Sequence, residues 1–392
     1  MIRGHGRDVM ERGNETKLLT MFILVIFLCF IYCPSAYCQP SYNIVDLGSM
    51  VGGTRSYGND INNRGEVIGT ATIGSSQLAF LYSGGSITIL PTPPGYSDTA
   101  GSAINDLGQI GIIAGSYGSQ FVFLYTSNNY HSMSSAVENF IGTLELNNNG
   151  RAVWFTTGIN NSYIYDFSSR TTTALNTMQA YSINDSGKIA GFVPYTTGPD
   201  GQTVILEVSG QQTQLGTLGG NYSQPTQINN LGHVVGLSKI TNDAATHAFL
   251  WTPSEGMKDL NNNSMSTYSW ASSVNIRQEV VGNYRATESS PQRAFVYSNH
   301  TMRDLNDLIP SGSEWVLDGA QAINDSGQIT GYGTKNSETR AFLLNPQYTS
   351  LIGDFAPGDC DVDGSDLAAL IANMSLIDLA TFAQNFGKNV CQ

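Results

Sequence analysis

Between Ile61 and Pro346, apolar residues fall in short runs closed by Gly, Asn or Ser, too short to carry a helical stripe over ten or more positions. Runs of that length and boundary predict β-strands. One type carries GluValIleGly (66–69), HisValValGly (233–236) and GluValValGly (279–282). A second follows about ten to fifteen residues later: AlaPheLeuTyr at Ala79, PheValPheLeuTyr at Phe121, AlaPheLeuTrp at Ala248, AlaPheValTyr at Ala294 and AlaPheLeuLeu at Ala341. A third carries MetLysAspLeu (257–260) or MetArgAspLeu (302–305).

A polar turn precedes each set. It reads IleAsnAsnArgGly (61–65), IleAsnAspLeuGly (104–108), LeuAsnAsnAsnGly (146–150), IleAsnAspSerGly (183–187), IleAsnAsnLeuGly (228–232), a degenerate ValAsnIleArgGln (274–278) and IleAsnAspSerGly (323–327). Asn bonds its own backbone two residues on and Gly accepts positive φ, so these are turn-makers first. Asn62, Asn105, Asn147, Asn184, Asn229, Asn275 and Asn324 recur every 37 to 49 residues, close to the period of a four-stranded propeller blade. The AspLeu strand is missing after the last AlaPheLeu strand, and one copy, TyrAsnIleValAspLeuGly (42–48), stands alone at the start. Completing one blade from both chain ends removes two free edges at once. The expectation is an all-β chain whose residues 41–346 form a seven-bladed β-propeller closed by the N-terminal strand.

The wording of the repeat resembles the extracellular HAF repeat family. The resemblance rests on HisAlaPheLeuTrp (247–251), GlyMetLysAspLeu (256–260), LeuGlyThrLeuGlyGly (215–220) and the IleAsnAspXxxGly turns, and covers residues 41–346. It implies a secreted, propeller-like protein and supplies no catalytic residues. The third repeat departs most, with SerTyrIleTyr at Ser162 in place of AlaPheLeu. His247 reads as a strand-edge residue, since no second ligand stands at zinc spacing. Residues 308–315, LeuIleProSerGlySerGluTrp, break the pattern and predict an excursion over one face of the ring.

The ends of the chain add location. Arg3, Arg7, Arg12 and Lys17 precede an apolar run of about 15 residues (18–32), followed by Ser35 and Ala36. That is a secretory signal over residues 1–38, too short for a comfortable membrane span. The expected protein is secreted, extracellular or held at the cell surface, monomeric and without a mature transmembrane span. Cys360 and Cys391 remain in the mature chain and predict one disulfide in an oxidising compartment. A net charge of −13, with 18 Lys plus Arg against 31 Asp plus Glu, argues against nucleic acid and leaves a cation partner open.

After Pro346 the wording changes. Asp359, Asp361, Asp363 and Asp366 alternate through AspCysAspValAspGlySerAsp, ahead of two apolar runs. Alternating carboxylates followed by Gly364 open an oxygen-coordinating Ca²⁺ loop, and Asp366 would N-cap the next helix. An EF-hand frame from Asp359 fails at Leu370. A frame reaching back to Asp354 resembles the dockerin type I loop and closes on Asp366. This small α-helical, dockerin-like or EF-hand-like module over 353–392 implies Ca²⁺ as cofactor and a cohesin-like partner, although its second half lacks an acidic loop.

Three functions follow. One is a recognition protein binding a glycan or surface protein, favoured by low charge and many turn loops. Another is a polysaccharide hydrolase or lyase, which needs two carboxylates across a sugar bond. Glu255, Asp259, Glu288, Asp304 and Asp307 are candidates without a partner at evident spacing, and a buried carboxylate pair at the central channel would favour this reading. The third is a structural surface protein. Trp154, Trp251, Trp270 and Trp315 supply either sugar platforms or packing between blades.

Overall fold

The computed structural model describes residues 41–347, except 117, 135–139, 157–160, 195–200, 208, 262–264 and 288. The secretory signal, the loop of Asp354, Asp359, Asp361, Asp363 and Asp366, and the helical module lie outside the described residues. The disulfide expected between Cys360 and Cys391 is corrected: no cysteine pair of the chain lies at disulfide distance. Residues 41–347 contain no cysteine at all, so this part of the fold is held without covalent staples.

Ser41–Pro346 form one compact unit. Its strands run in antiparallel groups of four. Arg55–Ile61, Val67–Ile73, Ser76–Ser83 and Ser86–Ile89 make the first, and Thr99–Ile104, Ile110–Ser116, Ser119–Thr126 and Asn129–Ser132 the second. The third comprises Ile141–Leu146, Arg151–Thr156, Asn161–Asp166 and Thr171–Leu175. It keeps the four-strand pattern despite its altered wording. Twelve strands from Gln179–Ile183 to Thr301–Asp304 form one continuous sheet, but two of its junctions are single parallel contacts, Gly201 with Tyr222 and Thr246 with Tyr268. Between those junctions the pairing is again antiparallel in fours. In the last group Ser41–Asp46 pairs with Glu338–Gln347, then Ile329–Lys335 and Trp315–Ile323. The two ends of the described chain therefore share a sheet, as the lone AspLeu segment predicts.

The repeated words prove to be contacts. Phe80, Phe249, Phe295 and Phe342, the aromatic of AlaPheLeu, are fully buried. Each lies opposite the glycine that stands third in the preceding strand: Gly69, Gly236, Gly282 and Gly331. A Cβ on those glycines would stand 2.4–2.9 Å from the ring and 2.0–2.3 Å from a neighbouring carbonyl oxygen. Only glycine lets the ring and the adjacent strand approach this closely. The third group has an aromatic residue on both sides of this pair. Trp154 takes the glycine place and stacks on Tyr163 with centroids 5.3 Å apart.

The Asp of the outer strand pairs with the residue just before AlaPhe. His247 Nδ1 meets Asp259 Oδ2 at 2.8 Å, Arg293 Nη1 donates to Asp304 Oδ2 at 2.9 Å, and Arg340 Nη1 donates to Asp46 Oδ2 at 3.4 Å. Asp46 thus plays in the first strand the part that Asp259 and Asp304 play in their own groups. The second oxygen of each Asp accepts a backbone N–H just beyond the strand, from Ser49, Asn261 or Asn306. At Asp46 this caps the short helix α1 (Leu47–Val51). Ile309 and Trp315 are buried with Tyr42, whose N–H donates to Leu308 O at 2.8 Å, so the segment 308–315 clamps the closing strand.

Candidate functional site at the central channel

The innermost strand of every group ends in a turn that opens on Asn and, in all but one, carries Gly three residues on, and these turns meet around an axis. Each ring Asn is buried. Its Oδ1 accepts the N–H groups of the turn, as at Asn62 from Arg64 and Glu66 (both 3.0 Å) and at Asn324 from Ser326 (3.1 Å) and Gln328 (3.0 Å). That is the turn chemistry the sequence predicts. The sequence did not reveal the other half of the amide. Nδ2 of Asn62 donates to Asn105 O, Asn105 to Asn147 O, Asn147 to Asn184 O, Asn184 to Asn229 O, Asn229 to Asn275 O, Asn275 to Asn324 O, and Asn324 back to Asn62 O. The donor–acceptor distances are 2.9–3.2 Å, and the last bond closes the circle across 262 residues. Asn275 keeps this geometry although its turn lacks Gly, because Gln278 adopts φ 62° there.

One residue further on lies a second circle, at Asn63, Asp106, Asn148, Asp185, Asn230, Ile276 and Asp325. Backbone N–H groups of Asn63, Asp106, Asn148 and Asp185 donate to the side-chain oxygen of the next member, as do Ile276 to Asp325 and Asp325 to Asn63. Amide Nδ2 groups of Asn63, Asn148 and Asn230 bridge to the three carboxylates. Ile276 has no side-chain oxygen and interrupts the pattern. This mouth spends its polar groups on itself.

Beneath the mouth is an open cavity of about 130 Å³, lined by five carboxylates, Asp60, Asp106, Glu145, Asp185 and Asp325, and by no Lys or Arg. Asp60 and Glu145 stand two residues before their ring Asn, where the other turns carry Ala103, Ser182, Gln227, Ser273 and Ala322. Burial, with a smaller push from the charge of Asp106, raises Asp60 to about 7 against the pull of N–H bonds from Ile104 and Ile61. Glu145 is raised well above its ordinary value, by burial first and by Asp60 second. Among the described residues no group of three or more His, Cys, Asp or Glu could hold a metal ion.

A raised carboxyl binds its proton more tightly folded than unfolded. Glu145 therefore favours the folded state at low pH, and that contribution is lost as pH rises from the unfolded value near 4.3 through the folded one. Glu145→Gln removes the titration without removing a bond from Asp60. Its melting temperature should exceed the parent's by about 3 °C at pH 8 and match it near pH 4. An equal offset at both pH values would refute the assignment.

At the opposite end of these inner strands the repeats diverge. Tyr57 and Trp270 stand five residues before their ring Asn, and Tyr222, Tyr268 and Phe140 seven before, so this layer lies roughly 17–23 Å from the Asn circle along the strand. Tyr268 and Phe140 are each 37% exposed. Tyr268 meets Trp270 edge-on at 5.4 Å, Tyr222 leans on Phe192 at 5.4 Å, and Tyr57 meets Tyr332 edge-on at 5.1 Å. Burial raises the phenols of Tyr222 and Tyr332, which stay protonated donors and acceptors near neutral pH. Gln224 accepts from Tyr222 Oη, and Gln292 donates to Tyr332 Oη at 2.9 Å.

The carboxylates singled out in the sequence do not come together. Asp259 and Asp304 are tied to His247 and Arg293 in separate strand groups, Asp307 lies in the 3-10 turn Leu305–Asp307, Glu255 sits in an exposed hairpin turn, and Glu288 is outside the described residues. Of the tryptophans, Trp154 and Trp315 are core residues, Trp251 packs against the core, and Trp270 belongs to the channel end.

No protein-family model matches this sequence, and no curated protein matches it. Among solved structures the chain is similar to virginiamycin B lyase from Staphylococcus aureus, with TM-score 0.51 and 12% identity over 78% of this chain and 99% of the lyase. It is similar to the β-propeller domain of the Trilobed protease from Pyrococcus furiosus, with TM-score 0.52 and 9% identity over 79% and 94%. The WD40 repeats of RRP9 give TM-score 0.53 and 12% identity over 79% and 100%. Such identities carry the fold alone, and the fold is a β-propeller.

Proposed function

We propose that this chain is an exported, seven-bladed recognition propeller that binds a glycan across the aromatic end of its channel. One contrast carries the reading. At the Asn mouth the repeats are alike and their polar groups are saturated by one another, whereas at the far end they differ and present partly exposed aromatic rings, two of them bonded to the side-chain amides of Gln224 and Gln292. Sugar rings have apolar faces and hydroxyl edges, and a few polar groups among aromatic walls suit both. A glycan array probed with the full chain tests this directly. Tyr268→Ala combined with Trp270→Ala should weaken the best ligand by about a hundredfold, or roughly 3 kcal/mol. An array without a hit removes the reading.

A second reading has its own observation. Asp60 and Glu145, two half-buried carboxyls close enough for the charge of Asp60 to raise Glu145, approach the arrangement that would favour a hydrolase or lyase. Confinement counts against it, since about 130 Å³ is below the roughly 300 Å³ of small-ligand sites. Both oxygens of Asp60 are also engaged by backbone N–H groups. Release of reducing ends in a broad polysaccharide screen, abolished by Glu145→Gln, would put catalysis first.

A further inference from the structure

We infer that the glycan taken at the aromatic end carries an oxyanion, a uronate carboxylate or a sulfate ester, and that Arg285 is its partner; this rests on the glycan reading above. Arg285 ends the strand Val280–Arg285 and stands directly opposite Tyr268 in the pairing with Tyr268–Val274. Neighbours directly across a strand pair share a face, so the guanidinium lies beside the ring that the proposed sugar would cover. Its charge also reaches the Tyr332 phenol on the next group.

Among the described arginines at this end, Arg285 and the exposed Arg55 enter no salt bridge, and of the two only Arg285 lies directly across from Tyr268. Arg293 is paired with Asp304 and Arg340 with Asp46 and Glu338. Nε of Arg285 is buried without an acceptor in the protein, and no salt bridge among the described residues includes it. A guanidinium with one edge removed from water and no counter-charge is costly to keep. Among the described residues its Nη edge has no acceptor, and that edge with its planar donors is the one that fits a carboxylate or sulfate. Asp318, at the same end, is held by Thr334 Oγ1 at 2.7 Å and does not serve it.

The net charge of −13 does not oppose this pairing. The five channel carboxylates line the other end, the nearest of them, Asp60 and Glu145, five residues or roughly 17 Å along the strands from the level of Tyr268 and Arg285. That is two or more screening lengths at physiological salt. The approach to Arg285 is therefore governed by the local guanidinium.

The test is calorimetric titration of the full chain with a neutral oligosaccharide, an oligouronate and a sulfated oligosaccharide of equal length. At least one acidic ligand should bind about tenfold or more tighter than the neutral one, and R285A should erase that advantage while leaving neutral binding within about twofold. R285K should retain part of the advantage, and R285Q, shorter and uncharged, should lose it with a melting temperature no lower than the parent's. Loss confined to the uronate or to the sulfated ligand identifies the oxyanion. Equal affinity for neutral and acidic ligands, or an acidic preference that survives in both R285A and R285Q, overturns the inference and leaves the glycan reading standing. Failure of all three ligands to bind overturns both.

Discussion

Replacing Asn324 with Ala should cost this fold about 4 kcal/mol, an effect that a denaturant midpoint will report directly. Asn324 is 3% exposed and makes four hydrogen bonds: Oδ1 accepts from the N–H groups of Ser326 and Gln328, and Nδ2 donates to Asn62 O and Gln328 Oε1. Alanine leaves two turn donors and one inter-blade acceptor unpaired, at about 1–3 kcal/mol for each group kept from water. Asn324→Asp separates the two tasks. It keeps the turn acceptor but sets a carboxylate against a carbonyl oxygen, so at neutral pH most of the loss should persist. Asn184→Ala, in the middle of the chain, should cost a similar amount, because every link of the circle is built alike. A loss below about 1 kcal/mol in both alanine variants would show that the amide circle follows from the packing and does not hold it.

The turn half of this behaviour is legible in sequence, since Asn followed by Gly three residues on has a local explanation. The latch half is not, because the acceptor of each Nδ2 is a carbonyl 37 to 49 residues away, or 262 for the last. A repeat pattern shows that a residue recurs, not which neighbour it reaches. The same limit hid the pairing of Gly with Phe and of His or Arg with Asp; each word is visible in the chain, and only strand register shows that the words are two sides of one contact. Asp60 and Glu145 were missed for a different reason. They occupy a position held elsewhere by Ala, Ser or Gln, so alignment of the repeats hides them as noise, whereas deviation at a fixed offset from the ring Asn is the signal that would have found them. Tyr268 and Arg285 are of this second kind, whereas Trp270 stands among the tryptophans that the sequence singles out. The lone AspLeu segment was readable because counting strand types is independent of distance in the chain.

Deleting residues 41–53 should abolish the cooperative unfolding transition, and a synthetic peptide of that sequence should restore it in trans. The segment buries Tyr42 and Leu47 almost completely and most of Val51. At about 1.5–3 kcal/mol for each such side chain, their loss alone approaches the 5–15 kcal/mol total that a domain usually has. Asp46 adds to this, receiving Lys335 Nζ at 3.1 Å and the N–H of Ser49 at 2.8 Å as well as Arg340. Burial pushes its carboxyl up, but the Ser49 bonds and the Lys335 charge outweigh that and hold it below the ordinary value. The contribution of Asp46 is therefore present above about pH 4 and is lost as pH falls through the folded value. Removal of the segment also bares the strand Glu338–Gln347 as an unpaired edge, a template for joining another copy. The deleted chain should accordingly elute as aggregates, and added peptide should return it to the parent's elution volume. Peptide carrying Asp46→Ala should rescue less well at pH 7, and the difference should shrink toward pH 3. A deleted chain that still unfolds cooperatively near the parent's midpoint would show that the ring closes through its Asn latches without the N-terminal strand.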